Sequence, residues 1–276
     1  MAGTTVACLH GGFAMAQGVP LAESEFTAAA AERMQNAVGA SVAVAVKGPL
    51  TLSVGELQAN LDRIYAFCKA NAQRCSAELD AYVKNAAQII RARNAPVEKS
   101  SIRLAVRANS YLRNAQNAMG DKAAELQSRP LVEGLLVVAV VDSPAAIRMV
   151  AQKDMDALKV TTDELFELGR SNLASNLQSM SEVAKPVKPG QIGRVIGDYA
   201  PSRLLLVDQW KELAEAQGGK VIVAIPATDA LFYSADDSPT GLDALFTFAS
   251  RAISQVPNPL SNRLLKWTAS GWELVK

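Results

Sequence analysis

Histidine occurs once in the 276 residues, at position 10, and no charged side chain precedes Glu23. The uncharged opening "MAGTTVACLHGGFAMAQGVPLA" contains Ala14-Met15-Ala16, the small-x-small pattern that signal peptidase accepts, although a basic segment before it is missing. We therefore expect residues 1–22 to be a signal peptide or a disordered N-terminus, and the protein to be periplasmic or secreted, with the cytoplasm as the alternative. Cleavage after Ala16 would remove His10 together with Cys8. The remaining chain could then support no Ser-His-Asp or Cys-His catalysis, no histidine-based zinc site and no HExxH motif.

Other absences narrow the field further. No apolar run reaches the ~18 residues that would cross a bilayer, so no membrane span is expected in the mature chain. A net charge of +1 offers no bulk attraction to nucleic acid. The mild basic cluster Arg91, Arg93, Lys99, Arg103 and Arg107 reads as a solvated face. There is no G-x-S-x-G elbow and no S-x-x-K pair. Neither a Walker A loop nor a GxGxxG loop is present, because Gly190, Gly193 and Gly197 have the wrong spacing. Acidic residues are not clustered for a metal, Asp236-Asp237 being only a doublet, so no cofactor and no metal are expected. Aromatics make up 5% of the chain, which argues against a sugar-stacking groove, although Trp267 and Trp272 sit close together in sequence.

What remains is a well-patterned globular chain, 49% hydrophobic and 20% charged. Phe26, Ala30, Met34 and Val38 recur at helical spacing. "SVAVAV" and Leu50, Leu52 and Val54 then alternate as two strands across Lys47-Gly48-Pro49. Ser53 and Glu56 fit a capping box opening a helix with Leu57, Leu61, Ile64, Tyr65 and Cys68. A second helix carries Leu79, Tyr82, Val83, Ala86 and Ile90, making an N-terminal αα-hairpin. Cys68 and Cys75 would lie ~10 Å apart on one straight helix, beyond disulfide reach, so a bridge between them requires a break at "KANAQR". In an oxidising compartment we expect that bridge; two free buried thiols are the alternative.

"IRLAVRA" at 102–108 reads as a strand, followed by a polar connection through Gly120. "VEGLLVVAVVD" at 132–142 reads as a strand buried on both faces, with "AIRMV" pairing beside it. Thr161 and Glu164 open a helix, "AKPVKPGQIG" is a loop, and "KVIVAIP", "ALFYSA", a helix over 241–254 and a closing hairpin complete the chain. We expect an α+β class with a mixed sheet and interspersed helices, residues 23–276 forming a single domain of two lobes.

The stretch "GDYAPSRLLLVDQW", 197–210, reads as a helix entrance, with Gly197 for a turn and Pro201 early in the helix. Leu204, Leu205, Trp210 and Leu213 would then face inward. Ser202 and Arg203 are left over, since a cation in the first turn opposes the helix dipole and calls for another reason, such as an anionic partner. Among acids, Asp142, Asp198, Asp208 and Asp229 are candidates for chemistry, with backbone capping as the plainer role.

"GDYAPSRLLL", "VAIPATDALFYSAD", "EGLLVVAVVDSPAAIRMV" followed by "SNL" at 171–173, and "LDALFTFASRAIS…NRLLKWTASGWELV" resemble the bacterial domain-of-unknown-function family 1444, the YtpQ-like proteins. The similarity runs in order over residues 23–275. It implies a single α+β unit and no established activity. The family carries a histidine where Thr228 stands, between the matching Pro226 and Asp229. A mechanism using that histidine is closed to this chain.

These observations lead us to expect a non-enzymatic, exported accessory protein binding a small ligand or an envelope protein between its lobes, with Asp198, Ser202, Arg203 and Asp229 at the site. The alternative is a carboxylate-dependent hydrolase acting on a glycan or peptidoglycan-like substrate through Asp198 and Asp229.

Overall fold

A computed structural model describes residues 19, 22–55, 57–120, 126–144 and 146–275. The chain divides into two compact units, one ending at Ala95 and one beginning at Pro96. The expected signal segment, Cys8, His10 and the Glu56 half of the first capping box lie outside the described residues.

In the first unit, α1 (Glu23–Val38) buries Phe26, Ala30 and Met34 at the spacing the sequence shows. They pack on an antiparallel sheet of β1 (Val44–Gly48), β2 (Thr51–Val54) and β3 (Leu57–Asn60) in that order. The buried Thr27 ties helix to sheet. Its hydroxyl donates to the Glu23 carbonyl at 2.6 Å and accepts the Leu50 amide at 3.1 Å, fixing the β1–β2 turn. The expected helix over 57–68 starts only at Asp62, and Leu57–Asn60 form β3 instead. Leu57, Ala59 and Leu61 point inward with a period of two, and the Asn60 side chain accepts the Asp62 amide at 2.8 Å to start α2 (Asp62–Ala70).

α2 ends in a break at Asn71, a short 3-10 turn covers Ala72–Arg74, and α3 (Cys75–Asn94) runs back. The break brings the Cα atoms of Cys68 and Cys75 to 4.6 Å, and the two sulfurs are bonded. This is the expected αα-hairpin and bridge, with the break that the cysteine spacing requires for it.

The second unit has two sheets. In the first, β6 (Leu135–Ser143) lies between β4 (Ile102–Ala108) on one side and β5 (Ser128–Val132) and β7 (Ala146–Met149) on the other. β6 is buried from Leu135 to Val141 on both faces. Val137, Ala139 and Val141 join Ile102 and Leu104 beneath Leu165, Phe166 and Leu173, and the opposite face carries Leu136, Val138 and Val140. The expected polar connection after β4 is instead helix α4 (Asn109–Met119). Its Leu, Arg, Gln and Ala residues favour a helix, but none of its described side chains is fully buried, so no apolar stripe announces it. After β7 come α5 (Gln152–Leu158), α6 (Thr162–Asn176) and α7 (Met180–Val183). α6 opens with the foreseen capping box: Thr161 Oγ1 accepts the Glu164 amide at 3.3 Å, and the Glu164 carboxylate accepts the Thr161 amide at 2.8 Å.

The remaining strands are β8 (Gly193–Ile196), β9 (Ile222–Ala227), β10 (Ala230–Ser234), β11 (Leu264–Thr268) and β12 (Gly271–Leu274). They form the second sheet in the order β12-β11-β9-β10-β8. Helix α8 (Lys211–Ala216) precedes β9, and α9 (Pro239–Ile253) packs Leu245 and Ala249 against Ile222, Ala224 and Leu264. The class is α+β. Every strand pair among the described residues is antiparallel, and the strands divide among three sheets rather than one mixed sheet. Among the described residues no helix is long and apolar enough to cross a membrane.

Gly193 shows how tightly this unit is packed. A Cβ there would lie 2.1 Å from the Tyr233 ring. That ring cannot swing away, because its hydroxyl accepts the Lys185 amide at 3.0 Å and donates to the Lys185 carbonyl at 2.8 Å. Gly193→Ala therefore lowers the unfolding free energy by roughly 1–2 kcal/mol through overpacking, read as a lower urea midpoint. An unchanged midpoint would contradict the close packing.

Candidate functional site

The stretch 197–210 leaves β8 at its C-terminal end. Gly197 takes φ +133°, open to glycine and strained for other residues, and its amide donates to the Asp229 carbonyl in the β9–β10 turn at 2.9 Å. The expected single helix is two successive 3-10 turns, Ala200–Leu205 and Val207–Trp210, which lead into α8. Leu204, Trp210 and Leu213 are buried as foreseen, while Leu205 is half-buried.

Short 3-10 turns leave main-chain carbonyls in need of donors, and here the donors are indoles. Trp210 Nε1 donates to the Arg203 carbonyl at 2.9 Å, Trp272 Nε1 to the Leu204 carbonyl at 2.8 Å and Trp267 Nε1 to the Val207 carbonyl at 3.1 Å. These are all three tryptophans of the chain. Trp210 and Trp272 also meet edge to face, their centroids 4.9 Å apart. Trp267 and Trp272, both half-buried, thus have their N–H groups tied to this stretch.

Ser202 and Arg203 sit inside this stapled segment. Ser202 Oγ accepts the Val106 amide at 3.3 Å on the free edge of β4. Arg203, only 6% exposed, donates from Nη1 to the Gln178 carbonyl at 2.6 Å, and burial lowers its pKa. It forms no ion pair with any described residue. Asp198 and Asp229 are both exposed, on neighbouring turns joined by the Gly197–Asp229 backbone bond. Two of the four sequence candidates are therefore interior and two are on the surface. Among the described residues no group of three or more metal-ligating side chains is positioned to hold a metal ion.

The residue that the sequence reading passed over is Tyr199. It is held in the left-handed conformation, φ +59° and ψ +17°, which is an outlier for a bulky side chain. Its hydroxyl is sealed from solvent and makes no hydrogen bond of normal geometry. Burial, and then the facing Asp142 carboxylate, push its pKa well above the usual phenol range, while Arg103 and Arg107 pull the other way. Alternation along the strands explains the grouping. Arg103 and Arg107 flank Ala105 on β4, on the sheet face that also carries Leu136, Val138 and Val140, and Asp142 continues that set on β6. Arg103 Nη1 donates to the Ser100 and Ile102 carbonyls at 2.6 and 2.9 Å. Arg107 Nη1 donates to the Val106 carbonyl at 2.9 Å, and its guanidinium lies 5.5 Å from the Tyr111 ring centroid. Neither arginine has an acidic partner among the described residues. The basic cluster that reads as a solvated face in sequence thus splits, and two of its members, half-buried, join Asp142 and Tyr199.

No protein-family model, no curated protein and no solved structure matches this chain.

Proposed function

We propose that this protein is a non-enzymatic binding protein, exported to an oxidising compartment, that holds a small ligand on the β4–β6 face at Arg103, Arg107, Asp142 and Tyr199. One observation carries the reading: Arg103 and Arg107, half-buried and with no acidic partner among the described residues, stand beside a tyrosine held in left-handed backbone. Left-handed backbone at a bulky residue costs on the order of 1–3 kcal/mol and persists only where its surroundings impose it. The three indole bonds supply the constraint, so the strain is held in a rigid segment beside two arginines that have no acidic partner among the described residues. Rigid support of this kind is what a preorganised binding site needs. The Cys68–Cys75 bridge supports the oxidising compartment. Membership of the YtpQ-like family is part of the proposal and adds no activity to it. Hydrolysis through Asp198 and Asp229 has less support, because both side chains are exposed and neither is bonded to a described residue.

Native mass spectrometry of the full chain, purified without denaturation, tests the reading. The wild-type protein should exceed its polypeptide mass by a small molecule released on denaturation. Arg107→Glu should lose that mass while its melting temperature stays within about 2 °C, as for a substitution outside the core. A bare wild-type mass, with no melting shift in a small-molecule extract of the host, overturns the proposal.

A further inference from the structure

We propose that the ligand is a small monocarboxylate that also carries a hydrogen-bond donor, that is, an amino or hydroxy acid. This rests on the binding reading above and asks what chemistry would complete that site.

The charges on the face decide most of it. Arg103 and Arg107 bring two positive charges with no acidic partner among the described residues, and Asp142 brings one negative charge, so the face asks for an anion at the arginines and a donor at Asp142. The two arginine Cα atoms lie four residues apart on β4, about 13 Å at strand spacing, within the combined reach of two such side chains. The residue between them is Ala105, too small to stand in the way. Both guanidiniums commit Nη1 to main-chain carbonyls. Among the described residues that arrangement leaves Nη2 and Nε of each for an acceptor, the fork that suits a carboxylate. The Tyr199 hydroxyl faces the Asp142 carboxylate and so helps to hold that side of the site.

Asp142 sets the second requirement. A group with two negative charges, such as a phosphate dianion, would bring like charge against its carboxylate. A neutral sugar would leave both arginines unmatched. A ligand with an ammonium or hydroxyl near its acid group gives Asp142 a donor while the acid takes the arginines. Apart from these groups the face is apolar and already packed, with Leu136, Val138 and Val140 buried against Leu112, Met149 and Tyr199. The ligand is therefore short.

Isothermal titration of the full chain with glycine, glycolate, acetate, methylammonium and inorganic phosphate, at one low ionic strength, reads the chemistry directly. Glycine or glycolate should bind saturably, and which of the two does so separates the amino from the hydroxy acid. Acetate should bind roughly tenfold more weakly, the loss expected of one hydrogen bond to a charged group. Methylammonium and phosphate should not bind. Arg107→Gln should weaken the best probe by about tenfold or more. Asp142→Asn should remove most of the preference for glycine or glycolate over acetate, an effect that a merely structural aspartate would not produce. Phosphate as the tightest probe, equal binding of acetate, or no binding by any acid overturns the inference. If a co-purifying molecule is present and proves not to be an acid, only the ligand class fails; if no molecule co-purifies and no extract shifts the melting temperature, the binding reading fails with it.

Discussion

Replacing Trp210 with alanine lowers the unfolding free energy by about 3–5 kcal/mol, the range for removing a large buried aromatic side chain. Trp210 heads the fully buried side chains by volume and stands among Leu204, Leu213, Val223 and Leu265. Its removal opens a cavity, takes the edge-to-face partner from Trp272 and deletes the N–H that serves the Arg203 carbonyl. That carbonyl keeps the Leu206 amide at 3.1 Å, so it is weakened rather than orphaned. Trp210→Phe separates the effects: it retains most of the buried ring and loses the N–H, for a cost of about 1 kcal/mol from the bond itself plus lost contact area. Urea denaturation with unchanged slope checks both values. The phenylalanine variant has a second consequence, because Tyr199 is held in its strained conformation by the same segment. A looser segment lets Tyr199 relax, so ligand affinity should fall although position 210 lies outside the proposed site. A Trp210→Ala midpoint equal to the wild type would show that the indole bonds do not hold the stretch.

The sequence made some elements plain and hid others, for identifiable reasons. β6 was legible because a strand buried on both faces is an unbroken apolar run, and α6 because its capping box is local. The hairpin β11–β12 was legible from two short apolar strands around Ser270-Gly271. β3 was hidden because Leu57 and Leu61 satisfy helical spacing as well as alternation, and the choice falls to pairing with β2. The 197–210 stretch was hidden for a stronger reason. Its 3-10 turns depend on donors 60 and 68 residues further along the chain, on Trp267 and Trp272, and no local pattern contains them. Once those bonds fix the path, Arg203 is carried inward and Tyr199 into the left-handed region. Arg203 read as a ligand contact because nothing local shows that its guanidinium is taken by the Gln178 carbonyl. Tyr199 looked ordinary because its strain is imposed from elsewhere.

Removing the Cys68–Cys75 bridge is the second large effect. Cross-linking positions 68 and 75 closes an eight-residue loop, for which the chain-entropy estimate is about 2.5 kcal/mol of stabilisation. Alanine is the substitution to make at both sites. Both sulfurs are buried in the first unit's core, and serine hydroxyls would add an unsatisfied polar group to the loss being measured. The double alanine variant should unfold at a correspondingly lower urea concentration. Hydrogen exchange should quicken first in α2, α3 and the turn Ala72–Arg74, where no side chain is buried and the bridge holds the reversal of direction. Amides of β6 and β9 in the second unit should keep their protection. Reduction of the wild-type protein should reach the same midpoint slowly, since a thiol must wait for local opening to reach buried sulfur. Faster exchange confined to the first unit would make the bridge a local clip, and its loss in a reducing cytosol would then leave this hairpin marginal. A double alanine variant as stable as the wild type would mean that the apolar packing of α2 and α3 suffices, and the bridge would no longer support an oxidising compartment.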